Sequence, residues 1–465
     1  MELKSSDEIR HATAALASGS SDALDRLVHT GVFGASIELR DAARDAVMQE
    51  ARSRGLYPAS IHGLYMARGR GEAPADFTVP AINIRGMAYD TARALFRARR
   101  ALDAGAVICE IARSEITYTD QRPTEYTFVI IAAGLREGWT GPVFIQGDHF
   151  QVNAKKYLAD PGKEMAAVKD LTAEALAAGF YNIDIDTSTL VELDKQGHEA
   201  QQQLNGGLCA ELTAFIRAHE PKGVITSVGG EIGEVGGRNS NADELHAFMK
   251  VYGAALEKRA AGSTGISKIS IQTGTSHGGV PLPDGSVAAV KLDFDALEQL
   301  SKIAREQYGL AGAVQHGAST LSADLFDQFP RRGACEIHLA TEFQNMIFDH
   351  ARFPAELKQS IYAKLRTEAA DERKSTDTDE QFFYKTRKKA LGSFKRELWN
   401  LPTEVRAAIG VTLEDKFRFL LTKLNAGGTR ALAELHAPKV PGSFPSVGSA
   451  VGVGRGPEDI TGLHD

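Results

Sequence analysis

Cysteine is scarce in this chain of 465 residues, which contains only Cys109, Cys209 and Cys335. No two of them are closely spaced, so neither a disulfide framework nor a thiolate metal site is predicted. Two of the three fall within apolar runs of the β-strand type, where a buried and inert thiol is expected. Such sparing use of cysteine is typical of proteins in a reducing compartment, and we expect a cytoplasmic location.

Long hydrophobic runs and an excess of basic residues are also lacking. The longest apolar stretch, Phe128–Leu135, is far too short to span a bilayer, and the first residues contain no apolar core of a signal peptide. With 53 Lys and Arg against 60 Asp and Glu, the formal net charge is −7. This balance argues against nucleic acid or an anionic membrane as the partner. A small anionic substrate stays open, because a local pocket can be positive within an acidic protein.

From about residue 78 the chain alternates apolar β-type runs with longer amphipathic ones, and Gly and Pro mark the joins. Eight candidate strands separated by helices are typical of a (β/α)8 TIM barrel, although periodicity alone also allows a doubly wound open sheet. The predicted strands are Val79–Ile84, Ala106–Ile111, Pro142–Gln146, Tyr181–Ile185, Gly223–Val228, Lys268–Gln272, Gly312–Gln315 and Ala334–Leu339. The predicted helices between them include Met87–Ala104, Glu125–Arg136, Glu164–Ala178, Asp243–Ala261, Asp295–Tyr308 and Leu321–Phe329.

Polar side chains stand at the ends of these strands, and their positions favour the barrel. In a barrel the carboxyl ends of the strands converge on one face, where the active sites of such enzymes lie. An open sheet would spread the same side chains along a wide edge. The residues concerned are Asn83, Asp148, His149, Asp184, Asp186, Glu231, His277, His316 and His338.

Three of these residues are histidines that directly follow strands, namely His149, His277 and His316. Together they could surround a single metal ion, and three protein nitrogens leave a coordination position open, as in a catalytic zinc site. Imidazole ligands also suit other divalent metals, such as cobalt or manganese. Asp148, next to His149, would lie beside the metal as a candidate proton carrier. A single strand-end histidine is more often structural, so the metal prediction depends on all three.

The barrel is predicted to span residues 76–360, with a helical extension at each end. Residues 1–75 show no strand alternation and carry helical patterns at Ser6–Ser18, Asp22–His29 and Ile37–Arg54. Residues 361–465 form the second extension, with a charged stretch at Arg366–Lys388 and helical patterns at Thr386–Trp399, Glu404–Ala408 and Leu413–Leu424. The composition from Pro441 to Pro457 is rich in Gly, Ser and Val, and it predicts a flexible tail.

The order of motifs in residues 79 to about 350 resembles that of the class II, zinc-dependent ketose-bisphosphate aldolases. That family includes the fructose-bisphosphate and tagatose-bisphosphate enzymes. Each motif alone is weak, but seven in the family's order, each at a strand end, argue against coincidence. The motifs are Gly147-Asp148-His149, Ile185-Asp186-Thr187-Ser188, Glu231-Ile-Gly-Glu-Val-Gly-Gly237, Gly274-Thr-Ser-His277-Gly278, Leu292-Asp-Phe-Asp295, His316-Gly-Ala-Ser319 and Ala340-Thr341-Glu342.

The resemblance assigns roles to individual residues. It implies that Asp148 is the general acid/base and that one zinc ion is held by His149, His277 and His316. Asp186 and Glu231 would engage a metal as alternative or second-site ligands. The phosphate of the dihydroxyacetone-phosphate half would be bound by small residues and backbone N–H groups at Gly278, Gly317, Ser319 and Thr341. By position, we also expect substrate contacts from Asn83 and His338.

The implied reaction is the reversible cleavage of a phosphorylated ketose, a ketose mono- or bisphosphate, to dihydroxyacetone phosphate and an aldehyde. Cleavage leaves negative charge on an enediolate, which zinc stabilises as a Lewis acid, while a carboxylate takes the proton of the C4 hydroxyl. Family analogy implies a homodimer or larger homo-oligomer. Two other classes stay open: a non-catalytic, aldolase-like partner subunit, and a metal-dependent hydrolase on the same barrel.

The chain departs from the family pattern at three places near the expected substrate. Arg238 and Asn239 follow the Gly-Gly of the loop, where an acidic residue usually shuttles a proton. Glu336-Ile-His338 stands where relatives carry Lys-x-Asn, so a cation and an amide have become a carboxylate and an imidazole. The first Glu of the usual Glu-x-Glu-Leu-Gly is Gly229 in this chain.

Overall fold

The computed structural model of the chain describes residues 2–233, 238–274, 282, 292–318, 321–445 and 458–463. Within these ranges nine strands form one sheet, in which every pairing is parallel. The strands are β1 Leu56–Ala59, β2 Val79–Asn83, β3 Ile108–Ala112, β4 Gly141–Gln151, β5 Asn182–Asp186, β6 Ser227–Glu231, β7 Lys268–Ile271, β8 Ala313–Gln315 and β9 Glu336–Leu339.

Eight of these strands close into a barrel. Their spatial order is β4-β3-β2-β9-β8-β7-β6-β5, and β4 pairs with β5 through Gln146 with Asn182 and Gln151 with Asp186. Helices connect the consecutive strands, so the fold is a (β/α)8 TIM barrel with extra helices. The predicted fold class is confirmed, and the closing β4–β5 pair excludes the doubly wound open sheet.

Helices fill most of the remaining described chain, and they number 21 within the described ranges. Short 3-10 turns span Ser188–Leu190, Ala370–Glu372 and Arg387–Lys389. The helices are α1 Ser6–Ala17, α2 Ser21–Phe33, α3 Ile37–Ser53, α4 His62–Gly69, α5 Ala88–Ala101, α6 Arg113–Tyr118, α7 Pro123–Arg136, α8 Ala154–Ala159, α9 Pro161–Ala177, α10 His198–Gln201, α11 Gln203–His219, α12 Ala242–Arg259, α13 Phe294–Tyr308, α14 Gln328–Arg331, α15 Thr341–Phe348, α16 Ala355–Glu368, α17 Asp379–Thr386, α18 Ala390–Ser393, α19 Lys395–Trp399, α20 Thr403–Lys423 and α21 Arg430–His436.

Helix α12 shows how the local sequence sets an element of the outer ring. Asn241 and Glu244 form a capping box at its start, in which each side chain accepts a hydrogen bond from the other residue's backbone N–H. Leu245, Phe248 and Tyr252 recur at helical spacing and are buried on the face that meets the barrel. The cap fixes where the helix begins, and the apolar stripe fixes which side it buries.

Several local predictions differ from the structure. The strand predicted at Gly223–Val228 lies at Ser227–Glu231, and the helices predicted at Glu404–Ala408 and Leu413–Leu424 are one helix, Thr403–Lys423. The N-terminal extension contains a strand, β1, which pairs with Gly141–Phe144 of β4; four residues that include Pro58 are too few for strand alternation to show. The predicted helix Leu321–Phe329 is wrong, because the helical residues there are Gln328–Arg331. The Ser322 hydroxyl donates to Asp324, and such local side-chain hydrogen bonds favour a turn over a helix.

The helical extensions pack on the outer ring of the barrel. Helix α20 lies against α5, and α2 and α3 lie against α7. One continuous apolar core joins them, with Val28 of α2, Phe96 of α5, Phe128 of α7 and Phe417 of α20 among its buried members. The extensions therefore share the core of the barrel. Among the described helices, none is both long and apolar enough to cross a membrane.

Candidate active site

Strand β4 is bulged where it carries Asp148 and His149. Its register with β5 shifts between Gly147 and Phe150, and His149 has a left-handed φ of 38°. A side chain at Gly147 would clash with the Phe150 ring, which lies 2.5 Å from the position of an added Cβ. In a regular strand, consecutive side chains point to opposite faces. The bulge lets Asp148 and His149, each 2% exposed, join the same buried cluster.

His149 lies among two acidic residues and a second imidazole. Its Nδ1 is 3.3 Å from Asp186 Oδ2 and 3.6 Å from Glu231 Oε2, and its ring centroid is 4.3 Å from that of His316. The candidate ligand atoms of His149, Asp186 and Glu231 lie within 4.8 Å of one another, as do those of Asp148, His149 and His316. Buried imidazoles and carboxylates at these separations fit a zinc or similar divalent ion.

The charges around His149 shift the pKa of each group. Burial lowers the pKa of His149, but the carboxylates of Asp148, Asp186 and Glu231 outweigh it and raise the value to about 10. Burial raises the pKa of Asp186, whereas the contact with His149 lowers it to about 2. Burial and the charge of Asp186 raise the pKa of Glu231 well above its ordinary value. Acidic groups thus surround the imidazole, and this environment attracts a cation.

Asp148 is held by neighbours on two other strands. Its Oδ2 accepts a hydrogen bond from Asn83 Nδ2 at 3.1 Å, and its Oδ1 lies 3.1 Å from His338 Nδ1. Burial alone would raise the pKa of Asp148, but His149 and His338 hold it well below the ordinary value. The carboxylate is therefore ionised and has a fixed orientation.

His316 is positioned from the neighbouring strand β7. Its Nε2 lies 2.9 Å from the Ser270 hydroxyl, and its backbone carbonyl accepts a hydrogen bond of 2.8 Å from Gln315 Nε2. Its ring centroid is 4.0 Å from that of His338. The rings of His149, His316 and His338 thus form a row across the mouth of the barrel.

His338 is enclosed by four carboxylates. Its Nδ1 lies 3.1 Å from Asp148 Oδ1 and 3.2 Å from Glu110 Oε1, and its Nε2 lies 2.7 Å from Glu336 Oε1 and 3.4 Å from Asp184 Oδ2. Burial lowers the pKa of this imidazole, but the acidic neighbours raise it well above the ordinary value. His338 is therefore a buried cation that contacts the candidate proton carrier.

A buried lysine supplies a second cation beneath the histidines. Lys268 is 0% exposed, and its Nζ lies 2.8 Å from both Asp184 Oδ1 and Gln146 Oε1 and also donates to Glu336. Burial raises the pKa of Glu336, but Lys268 and His338 lower it to about 2. Glu336 stands where the family pattern has a lysine. Its negative charge is balanced by Lys268 of β7.

Gly229 gives this ion pair its space. A Cβ at that position would lie 2.3 Å from Asp184 Oδ1 and 3.0 Å from Lys268 Cε. Neither atom can yield easily, because each belongs to a buried pair with several partners. Gly229 and Glu336 therefore both adjoin the same buried lysine, Lys268.

The structure brings together a large part of the predicted site, comprising Asn83, Asp148, His149, Asp186, Glu231, His316 and His338. Gly317 follows β8 with a φ of 66°, and Thr341 begins α15 directly after β9, so both lie at the same end of the barrel. Arg238 is exposed and pairs with Glu244. His277, Gly278 and Ser319 lie outside the described residues, and their roles stay predictions.

Glu110, Gln146 and Lys268 were not predicted as site residues. Each lies within a strand whose other residues are mainly apolar, and each is fully buried. A charged side chain in a buried strand requires a partner of opposite charge, so Glu110 and Lys268 carried a usable signal. Which strand supplies the partner depends on the barrel closure, and the local pattern does not encode it.

The sequence pattern of the family described as "Fructose-bisphosphate aldolase class-II" matches residues 73–397. The chain therefore belongs to the class II fructose-bisphosphate aldolase family. This membership supports an aldolase-type lyase that acts on a small sugar phosphate, and metal dependence is typical of the family.

Several solved structures have a similar fold. A probable tagatose 6 phosphate kinase from Sinorhizobium meliloti is 18% identical, with a TM-score of 0.51, and the match covers 80% of this chain and 97% of that one. The fructuronate-tagaturonate epimerase of Cohnella laeviribosi is 12% identical, with a TM-score of 0.52 and coverage of 75% and 82%. The fructose-bisphosphate aldolase of Campylobacter jejuni is 17% identical, with a TM-score of 0.48 and coverage of 80% and 96%. The two matches with TM-scores above 0.5 show a shared fold alone, because their sequence identities are low.

Proposed function

We propose that this chain is a zinc-dependent lyase that reversibly cleaves a phosphorylated ketose to dihydroxyacetone phosphate and an aldehyde. The observation that carries the proposal is the bulge of β4, which places the consecutive residues Asp148 and His149 in one buried cluster with His316. An ionised carboxylate next to a candidate metal ligand is the pairing that this reaction requires.

The metal would be held by His149 and His316, with His277 as the third imidazole. Asp186 and Glu231 would be alternative or second-site ligands, since both approach His149 Nδ1 within 3.6 Å. When bound, the ion would act as a Lewis acid on the carbonyl of the ketose. The buried imidazole and carboxylate donors support this assignment.

Asp148 would move the proton. In cleavage, its carboxylate takes the proton from the C4 hydroxyl, next to the bond that breaks, and in condensation it returns that proton. Asn83 and His338 each contact one of its two oxygens, so the carboxylate keeps its direction through the cycle. Within the described part of the chain, Asn83 Oδ1 makes no hydrogen bond, so it can accept one from a substrate hydroxyl.

The phosphate would lie at the ends of β8 and β9. Thr341 is the first residue of α15, and the N-terminus of a helix attracts an anion through its exposed N–H groups. Gly317 offers a backbone that a phosphate can approach closely, since it has no side chain. Gly278 and Ser319 complete the proposed set.

A retro-aldol assay over a panel of ketose mono- and bisphosphates, with and without a chelator, tests the proposal. We expect dihydroxyacetone phosphate from at least one ketose and loss of turnover on chelation, with recovery when zinc is added. Asp148→Asn should keep its metal and lose most turnover. Chelator-resistant turnover would contradict the metal-dependent mechanism, and a metal-loaded chain inactive on the whole panel would favour the partner-subunit alternative.

The proposal includes a homodimer or larger homo-oligomer. Light scattering at assay concentration measures the assembly directly, and a monomer with full activity would remove this part without affecting the rest.

A further inference from the structure

We propose that Glu458, near the C-terminus, is a positioning residue of the active site. Through Arg113 it fixes the end of β4 and the carboxylate of Asp186, and thereby the imidazole of His149. The inference rests on the proposed metal-dependent function. Glu458 lies well beyond residue 397, where the family match ends.

The segment 458–463 docks on the face of the barrel that carries the candidate site. Asn153 Nδ2 donates a hydrogen bond of 2.9 Å to the Thr461 carbonyl, and Lys156 donates to the Asp459 carbonyl. Ile460 packs against the main apolar core. Asn153 lies just after β4, the strand of Asp148 and His149, and Lys156 lies in the next helix, α8. The segment is therefore fastened next to the proposed chemistry.

Arg113 connects this segment to the interior. It directly follows β3 and is 1% exposed, and its Nε donates to Glu458 Oε1 at 3.1 Å. Its Nη1 donates to Glu164 Oε1 at 2.6 Å and to the Gln151 backbone carbonyl at 2.5 Å. A buried guanidinium requires acceptors for its N–H groups on every side. Glu458, 28% exposed, supplies those acceptors on the outer side.

Two further contacts lead from Arg113 to the candidate metal site. The Gln151 carbonyl accepts from Arg113, while Gln151 Nε2 donates to Asp186 Oδ2 at 2.6 Å. The same Asp186 oxygen lies 3.3 Å from His149 Nδ1. Without Glu458, the guanidinium keeps a single carboxylate partner on its inner side, so its position and that of Gln151 become less fixed.

The expected effect of replacing Glu458 is small, because Arg113 and Gln151 stand between Glu458 and Asp186. Groups that contact metal ligands directly typically contribute about 10–100-fold to metal affinity or activity. Glu458 acts through intermediate groups, so we expect a smaller effect, about fivefold on both.

The test compares the chain of 465 residues with Glu458→Gln, Glu458→Asp and a chain ending at residue 457. Glu404→Gln is the matched control, because Glu404 is an exposed acidic residue on α20. The readouts are the dissociation constant for Co²⁺, the visible absorption spectrum of the bound Co²⁺, and kcat and KM on the best ketose phosphate. Co²⁺ reports ligand geometry independently of turnover.

We expect Glu458→Gln to bind Co²⁺ about fivefold more weakly, with an altered spectrum and a lower kcat at nearly constant KM. Glu458→Asp should recover part of the loss, the truncated chain should lose more, and Glu404→Gln should match the wild type. If the wild type binds Co²⁺ normally, and the Glu458→Gln and truncated chains match it in affinity, spectrum and kinetics, this inference alone is overturned. A wild-type chain that binds no Co²⁺ would overturn the proposed function and this inference with it.

Discussion

Asp148 Oδ1 lies 3.1 Å from His338 Nδ1, although the two residues belong to β4 and β9, which are not neighbours in the barrel. The contact crosses the interior of the barrel and joins the candidate proton carrier to a buried cation. The same imidazole contacts Glu110, Asp184 and Glu336. The carboxylate at the proposed reaction centre is therefore connected to a charge network that reaches two further strands, β3 and β5.

His338→Asn should reduce kcat by about 10- to 100-fold, because Asp148 loses one of the two groups that orient it. The variant should keep its divalent metal, since His338 is not a proposed ligand. Steady-state kinetics together with elemental analysis of the purified protein measure both effects. Unchanged kcat would make His338 a structural residue only.

Lys268→Met should destabilise the fold by about 3–5 kcal/mol, because Asp184 and Glu336 would lose one of their two buried cations and keep only His338. The measurement is the free energy of unfolding in urea. Lys250→Met is the matched control, since Lys250 is an exposed lysine that pairs with Glu199 at the surface, and it should change stability by less than about 1 kcal/mol. Equal effects of the two substitutions would contradict the proposed role of the buried pair.

Gly229→Ala should cost about 3 kcal/mol, because the new methyl group would overlap the Asp184–Lys268 pair. Gly253→Ala on α12 makes a useful control, since an added Cβ there meets nothing within 4 Å. That substitution should stabilise the protein by about 0.5–1 kcal/mol, as expected for alanine in a helix interior. Thermal unfolding of both variants tests the contrast, and a well-tolerated alanine at position 229 would show that the ion pair has room to move.

The stability of the fold should depend on pH through His62, a buried residue on the opposite side of the barrel. Burial, with smaller contributions from Arg217 and Arg70, lowers its pKa to about 4. The unfolded chain takes up this proton near pH 6.5, whereas the folded chain does so only near 4. The contribution of His62 to the free energy of unfolding is therefore fully present above pH 6.5 and is lost as the pH drops towards 4. At pH 5 the loss is about 2 kcal/mol.

Urea unfolding at pH 7 and pH 5 measures this term. His62→Gln should reduce the difference in the free energy of unfolding between pH 7 and pH 5 by about 2 kcal/mol. His11→Gln, at an exposed position of α1, should leave this difference unchanged. An undiminished difference in His62→Gln would assign the pH dependence to other groups.

The barrel could be predicted because its strands are buried on both faces. Every residue of β2, from Val79 to Asn83, is buried, so the strand reads as a short apolar run that ends on a polar side chain. Asp148, His149 and His316 were predictable as site residues because they stand at strand ends, and strand ends converge on one face of a barrel. The zinc ion and the role of His277 stay predictions.

Contacts between distant strands could not be predicted. The sequence shows Glu110, Lys268 and Glu336 within strands, but their compensation depends on which strands face each other across the closed barrel. The bulge at Asp148 is equally invisible, because it is a shift in the pairing of β4 with β5, at a point where Gly147 leaves room for the Phe150 ring. Docking of segment 458–463 is also invisible in the sequence, because it includes the contact of Glu458 with Arg113, which lies 345 residues away in the chain.

The divalent metal content of the purified protein, compared with that of His149→Ala and His316→Ala, tests the central claim most directly. We predict one tightly bound ion per wild-type chain and loss of that ion in both variants, with normal content in His11→Ala. A metal content that is the same in the wild type and in both variants would contradict the account.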